Sequence, residues 1–484
     1  MKKILTASQM RSCDEYTINT LAVPSRALMD RAAKACAGAL ADFDLTHLVC
    51  VCGAGNNGGD GMAIAYIMAR CGIDTTVVFP SDEASCTPET AFRLERLHDA
   101  GIPVTDSADF SDATAIVDAL FGIGLTREVT GRYADLIDAV NASSAKVLSV
   151  DIPSGISADS GRIMGKAVRA DRTVTISNIK PGLCLYPGAE YCGDLVCADI
   201  DIPDSTVPDG DCILCVEDSD LAAVSERPAY SNKGTFGRVL VIGGCVGMAG
   251  AAYLTALAAY RSGAGLVEIL THPDNRTICQ TLLPEAVYTA YDPEAPEKAL
   301  AASLARTSSA VIGPGLSKSD TARRLVRFTV ENSRVPTVFD ADALNIIAEE
   351  RLAYPKTPTV ITPHLVEMYR LTGKTVPDIA SDLIRTAREY ADENRVTCVL
   401  KDARSVIASA EHTYLNLSGC SALAKGGSGD VLAGVIAALL ASGIGTDLSA
   451  AYGAYLHGKA GRKAAEIHGI HGVLARDIAD AVRR

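Results

Sequence analysis

No apolar run in this 484-residue chain approaches the roughly 20 residues that a membrane-spanning helix needs. The amino terminus lacks one too. Lys2 and Lys3 precede only Ile4 and Leu5 before polar residues return, so no secretory leader is expected and the chain is expected to be cytoplasmic. Basic residues are in deficit, with 45 Lys and Arg against 58 Asp and Glu. The resulting net charge of −13 disfavours nucleic acids and anionic membranes as partners, and leaves room only for a local basic pocket. Charge is sparse at 21% against 48% hydrophobic residues, which excludes a disordered chain. A second C-x-x-C pair is also missing. The match at Cys212-Ile213-Leu214-Cys215 lies in a strand-like run with no partner pair nearby, which argues against a zinc or redox site. The 15 cysteines are scattered through apolar segments, as at Cys50, Cys52, Cys245 and Cys398, and are expected to be buried reduced thiols.

What is present is glycine at the ends of apolar runs. Lys425 to Gly434 holds four glycines, Ser428 and Asp430, and the apolar run Val431–Leu440 follows. This predicts a buried helix entered from a glycine turn. Its N-terminal N–H groups make an anion site. A phosphate hole gains nothing from a carboxylate, so Asp430 is expected to accept a proton from a hydroxyl held against a nucleotide phosphate.

The N-terminal half alternates strands and helices. Residues 7 to 42 read as helical, a cover or a subunit contact. His47–Cys52 then predicts a strand, followed by Gly53-Ala54-Gly55-Asn56-Asn57-Gly58-Gly59-Asp60-Gly61 and a helix from Met62 to Arg70. G-x-G-x-x-G in that setting is the dinucleotide fingerprint. The acid expected about 20 residues on comes late, and the extra Asn and Asp oxygens suit a cation or polar ligand. The runs 115–120 and 146–150 end at Gly122/Gly124 and at Asp151–Gly155. Asn57, Asp118, Asp151 and Ser154 therefore stand at C-terminal strand ends, where open α/β sheets bind ligands. The pattern weakens from Ile202 to Tyr230, which predicts domains over 1–210 and 218–484.

A second alternation follows. Its strand ends carry Gly243–Ala251, Gly313-Pro314-Gly315, Asp340/Asp342, His364 with Glu367, and Lys401-Asp402. The expected fold class is α/β, with two doubly wound three-layer αβα domains. Asp340 and Asp342 read equally as ligands for Mg²⁺-bound phosphates and as turn residues.

Two resemblances emerge from these motifs. The C-terminal half, with Gly-Gly-Ser-Gly-Asp-Val-Leu-Ala-Gly, Gly-Pro-Gly-Leu, Asp-Ala-Asp-Ala-Leu and Thr-Pro-His, resembles the ribokinase-like ADP/ATP-dependent NAD(P)H-hydrate dehydratases. The N-terminal half, with Gly-Ala-Gly-Asn-Asn-Gly-Gly-Asp-Gly and Asp-Ile-Pro-Ser-Gly, resembles the Rossmann-like NAD(P)H-hydrate epimerases. Together they imply NADHX and NADPHX as substrates, hydrated at C6 of the nicotinamide. R and S epimers would be interconverted, and the S form dehydrated at the expense of ADP or ATP with Mg²⁺.

The resemblance implies that Asn57, Asp118 and Ser154 hold K⁺. It assigns the hydrate to Asn56, Asn57, Gly58, Gly59, Asp60, Gly122, Ile123, Gly124, Leu125, Thr126, Arg127, Glu128 and Asp151 in the first domain. In the second it assigns the hydrate to Ala251, Gly315, His364 and Asp430. The nucleotide falls to Lys401, Asp402, Ala403, Arg404, Ser405, Gly426, Gly427, Ser428 and Gly429. Asp402 follows Lys401 where the family often has Gly, and Ser428 stands where Thr is frequent. Asp60, Asp118 and Asp151 all remain open as the group that handles a proton during epimerisation. A homo-oligomer is expected. The alternative is a sugar or vitamin kinase fused to a dinucleotide-binding domain.

Overall fold

The computed structural model describes every residue except 108, 208–211, 226 and 484. The predicted first-domain end at 210 lies outside the described residues. The chain forms two compact units, one of Lys3–Cys212 and one of Met1–Lys2 with Ile213–Arg484.

The first unit opens with α1 (Ala7–Asn19) and α2 (Ser25–Gly38). At the head of α1 the Thr6 hydroxyl accepts from Gln9 N–H, while the Gln9 side chain accepts from Thr6 N–H. The strands are β1 (Leu48–Cys52), β2 (Thr75–Val78), β3 (Val104–Thr105), β4 (Ala115–Ala119), β5 (Lys146–Val150), β6 (Arg172–Ile176) and β7 (Asp194–Ala198). They are all parallel, in the order β3-β2-β1-β4-β5-β6-β7. β1 is buried along its whole length, as its unbroken apolar run requires when helices cover both faces of a parallel sheet. The chain winds outward from β1 and returns at β4, so a switch point lies between them.

Helix α3 (Asn56–Arg70) starts six residues before the predicted Met62, inside the glycine loop. The reason is packing rather than backbone freedom. A Cβ on Gly58 would lie 1.7 Å from the Gly53 carbonyl oxygen, and one on Gly53 would lie 2.1 Å from that of Leu120. Bare backbone lets the first turn of α3 sit against both loops, which carries Asn56, Asn57 and Asp60 to the switch point.

In the second unit β8 (Ile213–Cys215) precedes β9 (Arg238–Ile242), α4 (Ala249–Arg261), β10 (Leu266–Thr271), β11 (Val287–Ala290), β12 (Ser309–Ile312) and β13 (Thr337–Phe339). Then come α5 (Asp342–Glu350), β14 (Thr359–Ile361), α6 (Leu365–Thr372), β15 (Thr397–Leu400), β16 (Ser405–Ala408), β17 (Thr413–Asn416), α7 (Ser428–Ala441) and α8 (Thr446–His468). From Ile213 onward the sheet order is β8-β17-β16-β15-β14-β13-β12-β9-β10-β11. β16 pairs antiparallel with β15 and β17, and the other pairs are parallel. The switch point falls between β9 and β12. Helix α7 starts at Ser428, earlier than the apolar run alone implies, because Gly427 at φ +91° turns the chain directly into it. A Cβ on Gly434 would lie 2.1 Å from the Thr255 carbonyl, so that glycine lets α7 lie close against α4.

The β10 residue Glu268 is fully buried. It accepts from Arg306 at 2.8 Å, Ser303 at 2.6 Å, Thr289 at 2.7 Å and Arg238 at 2.5 Å. Burial alone would raise its pKa, but these donors hold it at about 2, well below the ordinary glutamate value of 4.5. The stability it contributes is therefore full above about pH 4.5 and lost as pH falls toward 2. Glu268→Ala is expected to destabilise the second unit by about 3 kcal/mol at neutral pH, by stranding two guanidinium groups. Urea unfolding at pH 7 and pH 3 checks this, with the variant's deficit shrinking at the lower pH.

The described cysteines are all free thiols, including Cys212 and Cys215. No helix among the described residues is long and apolar enough to cross a membrane.

Candidate active sites

Off the C-terminal strand ends of the first unit lies a cavity of about 740 Å³. Asn56, Asn57, Asp60, Asp151 and the segment Gly122–Arg127 line it. Of the residues expected to meet the hydrate, Gly58 and Gly59 are instead buried in the first turn of α3, and Glu128 is exposed outside the lining. Asp118 and Ser154 also lie off the lining, at 1% and 0% exposure.

Asp118 is saturated with donors. Its Oδ1 accepts from Ser154 Oγ at 2.6 Å and Leu120 N at 3.4 Å. Its Oδ2 accepts from Ser149 Oγ at 2.7 Å and Ser154 N at 2.9 Å. Burial still leaves its pKa raised overall, against those hydrogen bonds. Ser154 Oγ accepts from Phe121 N at 2.8 Å and lies 3.2 Å from Phe121 O. Asn57 packs on Gly122, whose Cβ position is 3.2 Å from Asn57 Oδ1. The buried Asn57 amide nitrogen has no hydrogen-bond partner among the described residues. Asn57, Asp118 and Ser154 thus converge on the Phe121-Gly122 turn.

Asp151 takes φ +66°, which turns its carboxylate back over β6. Its Oδ1 accepts from Ile176 N at 3.0 Å, from Thr175 Oγ1 and from Lys180 Nζ. Lys180 is 1% exposed and also donates to Ile176 O at 2.8 Å and Thr175 Oγ1 at 3.0 Å. Neither Lys180 nor Asp14, which lines the same cavity, was singled out from sequence. The available signal for Asp14 was its place one turn after the buried Met10 on α1. For Lys180, an isolated lysine after a strand, there was none.

In the second unit the strand-end loops converge on Lys401. Its backbone N donates to Pro363 O at 2.8 Å, and its Nζ donates to Asp340 Oδ1 at 2.9 Å. The same Asp340 oxygen accepts from Thr362 Oγ1 at 2.7 Å. Burial acts to lower the Lys401 pKa, yet Asp340, Glu367 and Asp430 raise it on balance, so the ammonium stays charged. A Cβ on Gly429 would lie 3.4 Å from Lys401 Nζ, which sets the ammonium beside the first turn of α7.

Asp430 stands in that first turn, and its carboxyl has no hydrogen bond among the described residues. Burial, then repulsion from Asp340, raises its pKa to about 7 against the pull of Lys401. Glu367 is likewise raised to about 7, chiefly by burial. His364 caps α6: its Nδ1 accepts from Val366 N and Glu367 N. Burial and Lys401 lower its pKa, so the ring is neutral and its proton sits on the half-exposed Nε2 side. The cap and site readings of His364 are therefore compatible.

Ala251 and Gly315 meet at the switch point, where a Cβ on Gly315 would lie 2.8 Å from that of Ala251. Asp342 accepts from Ser317 N at 2.7 Å, which ties it to the loop after β12. Among the described residues no three His, Cys, Asp or Glu side chains form a metal cluster. Asp402, Ala403 and Arg404 form the turn between β15 and β16, which Ser405 opens, and Arg404 Nη1 reaches Leu417 O at 3.4 Å. Gly426 and Gly427 lead into α7. Ser428 Oγ lies 3.1 Å from Nε2 of the buried His457 on α8, whose pKa burial lowers to about 4. His457 was not singled out from sequence. A lone histidine on an Ala/Gly-rich helix carries no local signal.

Residues 239–484 match the family model described as NAD(P)H-hydrate dehydratase, and residues 25–182 match that of the YjeF-related protein N-terminus. The chain is 34% identical over 495 residues to the bifunctional NAD(P)H-hydrate repair enzyme Nnr of Thermofilum pendens, covering 98% of this chain and 94% of that one. It is also 34% identical to the Escherichia coli protein of that name, over 91% of this chain and 85% of that one. A ribokinase-like superfamily protein from Enterococcus faecalis superposes with a TM-score of 0.51 at 28% identity, covering 56% of this chain and 94% of that structure. A Rossmann-type parallel sheet and a ribokinase-like one thus follow each other in a single chain. The chain belongs to the family of bifunctional NAD(P)H-hydrate repair enzymes.

Proposed function

We propose that the protein repairs hydrated nicotinamide dinucleotides. The first unit interconverts R- and S-NAD(P)H hydrate. The second dehydrates the S epimer to NAD(P)H, consuming ADP or ATP and releasing AMP or ADP with phosphate. The observation that carries the reading is Asp430, a raised and unpartnered carboxyl at the head of α7 beside a charged Lys401.

The second site works as follows. The hydrate lies on the flat floor made by Ala251 and Gly315, with His364 Nε2 available as a donor. Asp430 takes the proton of the C6 hydroxyl as its oxygen attacks the terminal phosphorus. The nucleotide leaves with its charge met by Lys401 and the N–H groups of Gly429 and its neighbours. Phosphate then departs with the C6–O electron pair while C5 loses a proton, which restores the ring double bond. Mg²⁺ would come with the nucleotide. Asp340 and Asp342 can offer it only two carboxylates, so its other ligands would be phosphate oxygens and water, the usual habit of this ion. It would neutralise phosphate charge.

In the first site the oxygen-rich set of Asn57, Asp118, Ser154 and the Phe121 carbonyl suits a large hard cation such as K⁺. The partnerless Asn57 amide supports this, since its oxygen and nitrogen can exchange places to present an acceptor. K⁺ would brace the Phe121–Gly124 wall of the cavity. The reading extends to a cytoplasmic homo-oligomer, for which the half-exposed Tyr16 and Leu21 on and after α1 offer apolar surface.

A base must be ionised to act. With Asp430 raised to about 7, S-hydrate dehydration is expected to rise tenfold per pH unit below neutrality and level off above it. An initial-rate profile of kcat/KM for the S hydrate tests this. A flat profile from pH 5 to 8 would remove Asp430 as the base.

A further inference from the structure

Four aspartates surround or underlie the cavity of the first unit, and they differ in what their carboxyls already hold. Asp118 has four donors, and Asp151 has the Lys180 ammonium, a backbone N–H and a hydroxyl. Such carboxyls are already occupied by protein donors and held in place as structure. Asp14 and Asp60 also line the cavity, yet neither has a hydrogen bond among the described residues. They come from separate elements, α1 and the first turn of α3. We propose that Asp14 and Asp60 are the acid–base pair of epimerisation, and that Asp118 and Asp151 are not. The assignment of Asp14 rests on the first unit being the epimerase.

The substrate's chemistry demands such a pair. The carbon to be inverted bears both the ring nitrogen and the hydroxyl. One carboxylic acid donates a proton to the hydroxyl, and water leaves with the C6–O electron pair. The N1 lone pair fills the vacancy as an iminium. A second water adds to the opposite face while the other carboxylate takes its proton. One water leaves and one enters, one proton is given and one is taken, and nothing is oxidised. The reverse epimerisation exchanges the two roles, as a pair of like groups permits.

The surroundings suit both states. Burial raises Asp14 to about 6, with Lys180 acting against the shift and Asp151 and its neighbour Glu15 on α1 adding to it. Burial, with Asp151 and Asp14 adding to it and Arg93 opposing, raises Asp60 well above the usual carboxylate range. Two carboxyls that line one cavity, both raised and both without protein donors among the described residues, can divide the roles of acid and base between them. The Lys180 ammonium and the Asp151 carboxyl beside them are bonded to each other, which holds both in place at the edge of the cavity.

The test uses the full-length protein with R-NADH hydrate, following S-hydrate formation by chromatography in H₂¹⁸O. Asp14→Asn, which keeps shape and size, is expected to cut kcat at least 100-fold with KM changed less than threefold. It should also abolish the limb of the pH profile near 6, with S-hydrate dehydration as the folding control. Asp14→Glu should restore at least a tenth of the rate, and the wild-type product should carry ¹⁸O at C6. Wild-type rate and profile in Asp14→Asn overturn the proposal, as does a loss that leaves the pH profile in place. Wild-type protein that interconverts no epimers would instead overturn the epimerase reading.

Discussion

Asp430→Asn is expected to lower S-hydrate dehydration about 1,000-fold and leave epimerisation at the wild-type rate. The size follows from the role. General-base catalysis is worth about 100- to 10,000-fold, and an amide cannot accept the proton. Asparagine fills the same volume, so the nucleotide and hydrate still bind and KM should move little. Stability gives a second reading of the same variant. The ionised Asp430 is disfavoured in the fold by burial and by Asp340. Removing that charge should hold or raise the melting temperature. A catalytic collapse without a stability loss is the mark of a base, whereas a drop in both would mark a structural carboxylate.

Asp118→Ala is expected to do the opposite to each activity. Epimerisation should fall at least 100-fold and lose its response to K⁺, while dehydration persists. Four donors would lose one acceptor: the hydroxyls of Ser149 and Ser154 and the N–H groups of Ser154 and Leu120. Leaving buried donors unpaired costs about 1–3 kcal/mol each, less what they recover by relaxing. The first unit should therefore melt earlier, and the Phe121–Gly124 wall that Ser154 supports should loosen. Epimer interconversion measured against added KCl and against NaCl checks the claim. An undiminished, K⁺-dependent rate in the variant would remove Asp118 from the cation's surroundings.

Strands were readable in this sequence wherever an unbroken apolar run met glycine, as at Val49–Cys52 and Arg238–Ile242, because parallel strands buried on both faces leave no polar alternation to confuse. Helix starts were not. Asn56–Gly61 reads as loop by composition, yet it is the first turn of α3, because those glycines serve close packing on Gly53, Cys52 and Ala119. The same bias hid the start of α7 at Ser428. Within the sites, residues at strand ends were legible because topology alone aims them at a ligand. Asp14, Lys180 and His457 reach their sites from helices or from a loop, across distances that no local spacing records. The sequence also left three aspartates equivalent for epimerisation. Only the count of hydrogen-bond donors at each carboxyl separates them.

The central claim is that one chain holds two independent sites acting in series. Its most direct test is the final NADH absorbance reached from a measured mixture of R and S NADH hydrate with ADP or ATP, Mg²⁺ and K⁺. Recovery of the whole mixture is predicted for the wild-type protein, and recovery halting near the S fraction for Asp118→Ala over the same interval. Wild-type protein that stops at the S fraction would contradict the account, and so would NADH formed from both epimers by Asp118→Ala at the wild-type rate.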